Sequence, residues 1–136
     1  MAEIKREGMF EKGIENPYGK FFEGKSYLYD FGSPSCGACD VSFEPGCINH
    51  WHTHLASEGG GQLLICLSGR GWYQEWGQPA RELHAGDVVN IPANVKHWHG
   101  AAKDSWFEHI SVVIPGKDAS TQWQEPVSAE EYGKLK

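Results

Sequence analysis

Short apolar and aromatic runs alternate with polar turns over most of this chain. The runs predict strands at 21–31, 41–43, 48–54, 63–67, 71–76, 81–84, 88–91, 96–99 and 106–114. Glycine- and proline-containing turns are predicted between them, for example at 44–46, 68–70, 77–79 and 85–87. Many short strands at even spacing are typical of an all-β sandwich or barrel, and no helical period interrupts them.

The two ends of the chain have a different character. Residues 1–20 are charged and interrupted by glycine, which predicts an arm or an edge strand lying against a partner subunit. After Pro115 the chain becomes polar, and Ser128-Ala129-Glu130-Glu131 has the pattern of a capping box. We therefore predict an arm (1–20), a barrel (21–115) and a tail with a short packing helix that ends near Lys136 (116–136).

Composition limits the possible classes of function. A chain of 136 residues with 40% hydrophobic and 22% charged residues is expected to form one globular domain. Its net charge of -6 argues against a nucleic-acid partner, because no basic stripe is present to neutralise phosphates. No apolar run approaches membrane-spanning length, and the first twenty residues are polar, so no membrane partner and a cytoplasmic location are expected.

Five of the seven histidines fall in two short stretches, 50–54 and 97–99. Successive side chains of a strand point to opposite faces, so His50, His52 and His54 are predicted to share one face and His97 and His99 another. Two such strands facing each other would form a metal site. Imidazole suits divalent transition metals, and Mn(II), Fe(II), Ni(II) and Zn(II) all remain possible on this ligand type.

The spacing around these histidines resembles the two sequence motifs of the cupin family. Gly46 precedes His52 and His54 as in G-x5-H-x-H-x3-4-E-x6-G, and Gly86, Pro92 and His97 follow G-x5-P-x-G-x2-H-x3-N. The resemblance covers roughly residues 40–115. It implies a single-domain double-stranded β-helix, the jelly-roll barrel of cupins.

The chain departs from these motifs at the expected glutamate. Gln62 has the right spacing counted from Gly69, whereas Glu58 has it counted from His54. We favour Gln62 as the fourth metal ligand, because it opens an apolar strand that can hold it rigidly. Glu58 lies in a glycine-rich loop and is the alternative ligand.

A narrower resemblance rests on 51–54, Gln62, the Lys-His-Trp-His-Gly run at 96–100 and Glu108-His109-Ile110. These resemble small bacterial cupins grouped with carboxymuconolactone decarboxylase-associated proteins, among which are manganese-dependent hydroxynitrile lyases. The resemblance implies metal ligands at His52, His54, Gln62 and His97, with Mn(II) favoured. It also implies an acid/base role for His109, and cupins in general suggest a homodimer.

Strand alternation supplies candidates for the rest of the site. His109 shares a face with Phe107 and Ser111 and is a candidate general base, and His99, which shares the face of His97, is the second candidate catalytic residue. Apolar pocket walls are predicted from Cys39, Val41 and Phe43, and His50 is placed on the same pocket face. Cys36 and Cys39 have redox or zinc spacing, but we interpret them as cysteines at a turn, since no second pair completes a zinc site.

These features favour a metal-dependent enzyme of the lyase type, which cleaves or forms a C–C bond in a small hydroxy compound. The first alternative is an Fe(II) dioxygenase, which would favour a carboxylate ligand such as Glu58 over Gln62. The second alternative is a non-catalytic module that binds a metal or a small ligand. Cupin barrels serve all three purposes, so fold alone does not decide among them.

Overall fold

The computed structural model describes residues 3–136, which form a two-sheet β-barrel. Its strands are β1 (Ile14–Glu15), β2 (Phe22–Glu23), β3 (Ser26–Asp30), β4 (Gly37–Phe43), β5 (Ile48–Asn49), β6 (His52–Leu55), β7 (Glu58–Gly59), β8 (Gln62–Glu75), β9 (Arg81–His84), β10 (Val88–Ile91), β11 (His97–Ala101), β12 (Phe107–Val113), β13 (Gly116–Lys117) and β14 (Ser120–Trp123). A 3-10 turn covers Gly19–Phe21, and one α-helix, α1, covers Ala129–Gly133.

Strand β8 connects the two sheets because its two halves pair with different partners. Its first half, from Gln62, pairs with β10 and β12, and its second half, up to Glu75, pairs with β9 and β11. The prediction of a turn at 68–70 is therefore wrong, because the strands predicted at 63–67 and 71–76 are parts of the single strand β8. The register instead shifts by one residue in this region, where Gly69 takes a φ of 76°, so a bulge bends the strand without ending it.

The two sheets face each other across an apolar core. One sheet carries β1, β3, β4, β12 and β10 beside the first half of β8, and the other carries β2, β5, β11, β6, β14 and β9 with the second half. The buried side chains of this core include Val41, Phe43, Leu64, Cys66, Tyr73, Leu83, Val89, Ile91 and Phe107. This confirms the all-β jelly-roll barrel.

The C-terminal helix packs on the outside of the second sheet. Ser128 caps it, since its Oγ accepts a 3.1 Å hydrogen bond from the backbone N–H of Glu131. Tyr132 packs against a cluster that contains the buried Trp51 and Trp98. The predicted short helix is thus confirmed, although it ends at Gly133, before Lys136.

Both terminal segments are built into the barrel. Strand β1 of the predicted arm pairs with β3 of the same chain, although Met1 and Ala2 lie outside the described residues. Beyond Pro115, β13 pairs with β7 and β14 pairs with β6, so strand pairing continues into the segment predicted as a tail. None of the helices within residues 3–136 is long and apolar enough to cross a membrane.

Candidate metal centre and cavity

Three histidines converge on the inner face of the second sheet. His52 of β6 and His97 of β11 are direct partners across the strand pair, and their ring centroids are 4.2 Å apart. His54, two residues further along β6, points to the same side. One ring nitrogen from each histidine lies within 4.8 Å of the others.

Hydrogen bonds on the opposite ring nitrogens orient these imidazoles. Nδ1 of His52 donates to the carbonyl of His50 at 2.8 Å, and Nδ1 of His97 donates to the carbonyl of Val95 at 2.9 Å. With the proton held at Nδ1, the Nε2 lone pair is available to a metal. Nε2 of His97 is buried and has no partner among the described residues, as expected for a metal-binding atom.

Burial keeps these imidazoles neutral and therefore able to bind a cation. It lowers the pKa of His97 to about 4 and the pKa of His54 below its usual value. The pKa of His52 is lowered further, first by burial and then by the charge that His97 would carry.

Gln62 completes the cluster at the start of β8. Its Nε2 donates to Oγ of Ser111 at 2.7 Å, which directs its Oε1 toward His54, 2.9 Å from that residue's Nε2. Two ligands at right angles on an octahedral ion with bonds of about 2.1 Å are separated by about 3 Å. The spacing of His54 and Gln62 thus fits neighbouring ligands of one ion.

The four side chains fit a divalent transition metal. Three imidazoles and one amide are neutral ligands, so a bound ion would keep its full positive charge and favour an anionic fifth ligand. This donor set does not distinguish Mn(II) from Fe(II), Ni(II) or Zn(II).

Two predicted positions lie elsewhere. Glu58, the alternative ligand, is exposed on β7 and is not part of the histidine cluster. His50, predicted on the pocket face, does not line the cavity, and its Nε2 lies 3.2 Å from Oε2 of Glu23. The reason is that the predicted strand 48–54 is two strands interrupted at His50 and Trp51, which breaks the alternation.

A cavity of about 240 Å³ opens beside the cluster, between the two sheets. Its walls come from the arm and from both sheets, including β14 of the second sheet. The lining residues are Asn16, Tyr18, Phe22, Leu28, Cys39, Val41, Phe43, Asn49, His52, His54, Gln62, His99, His109, Ser111, Val113, Thr121 and Trp123. Cys39, Val41 and Phe43, the three residues predicted as apolar pocket walls, are among these lining residues. Aside from the histidines, none of the lining side chains is of a charged type, so the cavity itself suits a small neutral molecule.

His109 stands on β12, in the sheet opposite the histidine cluster. It is fully buried, lines the cavity, and both of its ring nitrogens lack a hydrogen-bond partner within residues 3–136. Burial lowers its pKa to about 4, so it is neutral at pH 7 and able to accept a proton. Its ring is 4.9 Å from that of His99, which in turn is 5.7 Å from that of His52.

His99 is held differently from His109. The side-chain oxygen of Asn49 accepts the backbone N–H of His99 at 2.9 Å, and the amide nitrogen of Asn49 lies 3.3 Å from the ring's Nε2. The same amide nitrogen lies 3.4 Å from Nδ1, so Asn49 is the polar neighbour of both ring nitrogens of His99, which lines the cavity.

Several wall residues were not predicted from the sequence. Thr121 places its Oγ1 3.2 Å from Nδ1 of His54, and the ring of Trp123 lies 4.6 Å from that of His52. Their alternation with Ser120 and Gln122 was a usable strand signal. Asn16, Tyr18 and Asn49 carry no comparable signal in the sequence. They line the cavity only because the tertiary structure brings their segments next to the histidine strands.

The fold and the site together define a class of protein, a small two-sheet β-barrel with three histidines and a glutamine between its sheets that could hold a metal ion. The chain matches the cupin domain family over residues 39–113, and it belongs to that family.

Known proteins give closer comparisons. The chain is 40% identical over 92 residues, 68% of its length and 67% of the relative's, to an (R)-mandelonitrile lyase from Granulicella tundricola. It superposes on the crystal structure of a cupin-like protein from Thermotoga maritima with a TM-score of 0.81 and 41% identity, covering 95% of this chain and 97% of that one. A predicted oxalate decarboxylase from the same organism shares the fold alone, with a TM-score of 0.63 and 19% identity over 74% of this chain and 89% of that one.

Proposed function

We propose that this protein is a metal-dependent lyase that cleaves, or in reverse forms, the C–C bond beside the hydroxyl of a small neutral α-hydroxy compound. The observation that carries the proposal is His109, a buried and neutral base with two free ring nitrogens in the cavity that adjoins the histidine cluster. The (R)-mandelonitrile lyase relative supports a cyanohydrin as the first compound to test.

The metal ligands of the proposed enzyme are His52, His54, Gln62 and His97. A divalent ion bound there would act as a Lewis acid toward negative charge that develops on oxygen or on the departing anion. Mn(II) is the metal we propose, from the family resemblance.

His109 supplies the proton transfer. In cyanohydrin cleavage its ring nitrogen takes the hydroxyl proton, and the O–H electron pair forms the carbonyl of the product aldehyde. The C–C bond breaks and its electron pair leaves with cyanide, which then takes the proton from the His109 imidazolium and departs as HCN. Because burial lowers the pKa of His109, the imidazolium returns its proton readily.

The cavity walls select the substrate class. Phe22, Leu28, Val41, Phe43 and Val113 contribute apolar side chains to these walls. Among residues 3–136, no lysine or arginine lines the cavity, so a substrate carboxylate would meet no lysine or arginine side chain there. An apolar substituent on the hydroxy carbon is therefore favoured over a charged one.

The Fe(II) dioxygenase alternative is weaker. Its favoured ligand set contains a carboxylate, and the only candidate from the sequence, Glu58, is exposed and outside the cluster. The binding module without catalysis has no feature of its own in its favour.

The test is elemental analysis of the purified protein, followed by anaerobic reconstitution with Mn(II) and with Fe(II). Each form is assayed for mandelonitrile cleavage, by release of benzaldehyde and HCN, and for O₂ uptake after air is admitted. Cleavage by the Mn(II) form without O₂ uptake supports the lyase. O₂ uptake only with Fe(II) would replace it by the dioxygenase, and inactivity of both forms would leave the binding module.

A further inference from the structure

Glu108 is a buried carboxylate beside the proposed base that the chemistry above does not use. It lies on β12 immediately before His109 but on the opposite face of the sheet, and it is 1% exposed. A buried carboxylate is costly unless hydrogen bonds satisfy its oxygens, so its surroundings call for an explanation.

Four donors satisfy the two oxygens of Glu108. Oε1 accepts from the backbone N–H of Met9 at 2.8 Å and from Oγ of Ser68 at 3.0 Å. Oε2 accepts from the backbone N–H of Phe10 at 3.1 Å and from Nη2 of Arg6 at 3.2 Å. The carboxylate therefore joins the N-terminal segment to β12 and to the bulged part of β8.

The charge of Glu108 fits this arrangement. Burial alone would raise its pKa, but Asp40 and the backbone N–H groups of Met9 and Phe10 outweigh burial and lower it. Asp40, in contrast, has its pKa raised to about 9 by burial and by Glu108, so it is neutral at pH 7. A charged Glu108 and a neutral Asp40 therefore lie close to each other, and both lie close to the guanidinium group of Arg6.

The position of His109 depends on this part of the backbone. No hydrogen bond within residues 3–136 holds its ring, whose aromatic neighbours are Phe43 and Phe107, at centroid distances of 5.4 and 5.5 Å, and His99. The register between β12 and β8 shifts between Glu108 and His109. A shift at this point changes where the His109 side chain enters the cavity, because β-bulges redirect neighbouring side chains.

We propose that Glu108 is a positioning residue for His109: by binding the N-terminal segment and Ser68, its carboxylate holds the β12–β8 bulge in the register that directs His109 into the cavity. The inference rests on the proposed function for its catalytic consequence. The N-terminal segment is then part of the active-site framework, since it donates three of the four hydrogen bonds.

The test compares Glu108→Gln with Asp40→Asn in the full-length protein. The first change removes the negative charge and places an NH2 group against existing donors. The second replaces a neutral acid with a neutral amide of the same shape in the same buried pair, and is the matched control. Ser68→Ala removes one donor only and serves as a milder variant that keeps the test valid if Glu108→Gln does not fold.

Two measurements do not require activity. Amide hydrogen exchange at Met9 and Phe10 should accelerate about tenfold or more in Glu108→Gln, because their acceptor is weakened. The imidazole NMR signals of His109 in the metal-free protein should shift or broaden in Glu108→Gln and in Ser68→Ala, and should stay as in the wild type in Asp40→Asn.

The kinetic measurement uses the Mn(II)-loaded protein and mandelonitrile. We expect kcat to fall about tenfold in Glu108→Gln with KM within about twofold and metal content unchanged, since misplacing a base by a fraction of an ångström affects the chemical step more than binding. Unchanged His109 signals in Glu108→Gln, or equal effects in Asp40→Asn, would overturn the positioning role. If the wild type is inactive on mandelonitrile, the proposed function fails while the NMR and exchange measurements still decide the role of Glu108.

Discussion

Oε1 of Gln62 lies 2.9 Å from Nε2 of His54, although the two residues are eight positions apart and a glycine-rich loop lies between them. The hydrogen bond from the Gln62 amide to Ser111 holds this oxygen in place. An amide at this position keeps the ligand set neutral, which distinguishes the site from one with a glutamate ligand.

This relationship predicts the effect of ligand removal on metal content. His97→Ala should leave the purified protein with less than about a tenth of the wild-type metal, because it removes a central imidazole. Gln62→Ala should weaken metal affinity about tenfold or more, and Glu58→Ala, the control, should leave it unchanged. Elemental analysis measures the metal content, and competition with a chelator measures the metal affinity. Full metal occupancy in Gln62→Ala would show that the amide is not a ligand.

Thr121 is predicted to support the metal site through His54. Thr121→Val keeps the shape of the side chain but removes the hydroxyl 3.2 Å from Nδ1 of His54, so the ring loses its orienting partner. We expect metal affinity to fall about tenfold, a typical cost for losing such a partner. Ser120→Ala, on the exposed side of β14, is the control, and isothermal titration with Mn(II) is the measurement. Equal affinity in Thr121→Val and the wild type would exclude this role.

His109 is predicted to act in the reaction and not in metal binding. His109→Gln should reduce kcat for mandelonitrile cleavage about a hundredfold or more, the usual contribution of a general base, with metal content unchanged. His84→Gln, at an exposed position, is the control. A variant that loses its metal together with its activity would instead place His109 in the support of the metal site.

The buried His109 also predicts a dependence of stability on pH. Its pKa is about 4 in the folded protein and 6.5 in the unfolded chain, so between these values the unfolded state binds more protons. Its contribution to stability is therefore complete above pH 6.5 and is lost as the pH falls toward 4.

The measurement is urea denaturation of the metal-free protein at pH 7 and pH 4.5. The loss of unfolding free energy between these conditions should be smaller in His109→Gln than in the wild type by about 2–3 kcal/mol. His84→Gln again provides the comparison. An identical loss in His109→Gln and the wild type would mean that His109 does not stay neutral in the folded protein.

Two glycines with positive φ separate the effect of backbone conformation from that of contact. Gly77 has a φ of 82° and open space around it, so Gly77→Ala should cost about 1–2 kcal/mol from conformation alone. Gly69 has a φ of 76°, and a Cβ there would overlap the carbonyl oxygen of Trp106, so Gly69→Ala should cost about 2–3 kcal/mol more. Thermal unfolding measures both, and equal costs would show that the bulge relaxes freely.

The homodimer remains a prediction from the family resemblance. The described arm packs on its own barrel through the pairing of β1 with β3, and its predicted contact with a partner subunit stays a prediction. Light scattering of the full chain and of a variant lacking residues 1–20 tests both the dimer and the part the arm plays in it. A dimer that survives this deletion would show that the arm is not needed for assembly.

Local patterns were sufficient to predict an all-β sandwich or barrel and the clustering of histidines on strand faces. Period-two alternation places His52 and His54 on one face of a strand whatever the rest of the chain does, and a buried face leaves little freedom of register. The preference for Gln62 over Glu58 had the same basis, since an apolar strand following Gln62 indicated a rigid position. The structure places Gln62 beside His54 and leaves Glu58 exposed.

The tertiary structure alone decided the features that depend on interruptions and long-range pairing. The break at His50 and Trp51 and the bulge in β8 each change a register, and neither is visible in a pattern of apolar residues. Thr121 joins the site because β14 pairs with β6, and Glu108 is buried because the N-terminal segment covers it. A sequence determines which face a side chain takes within a strand, whereas the elements that meet at that face are set by the packing of the whole chain.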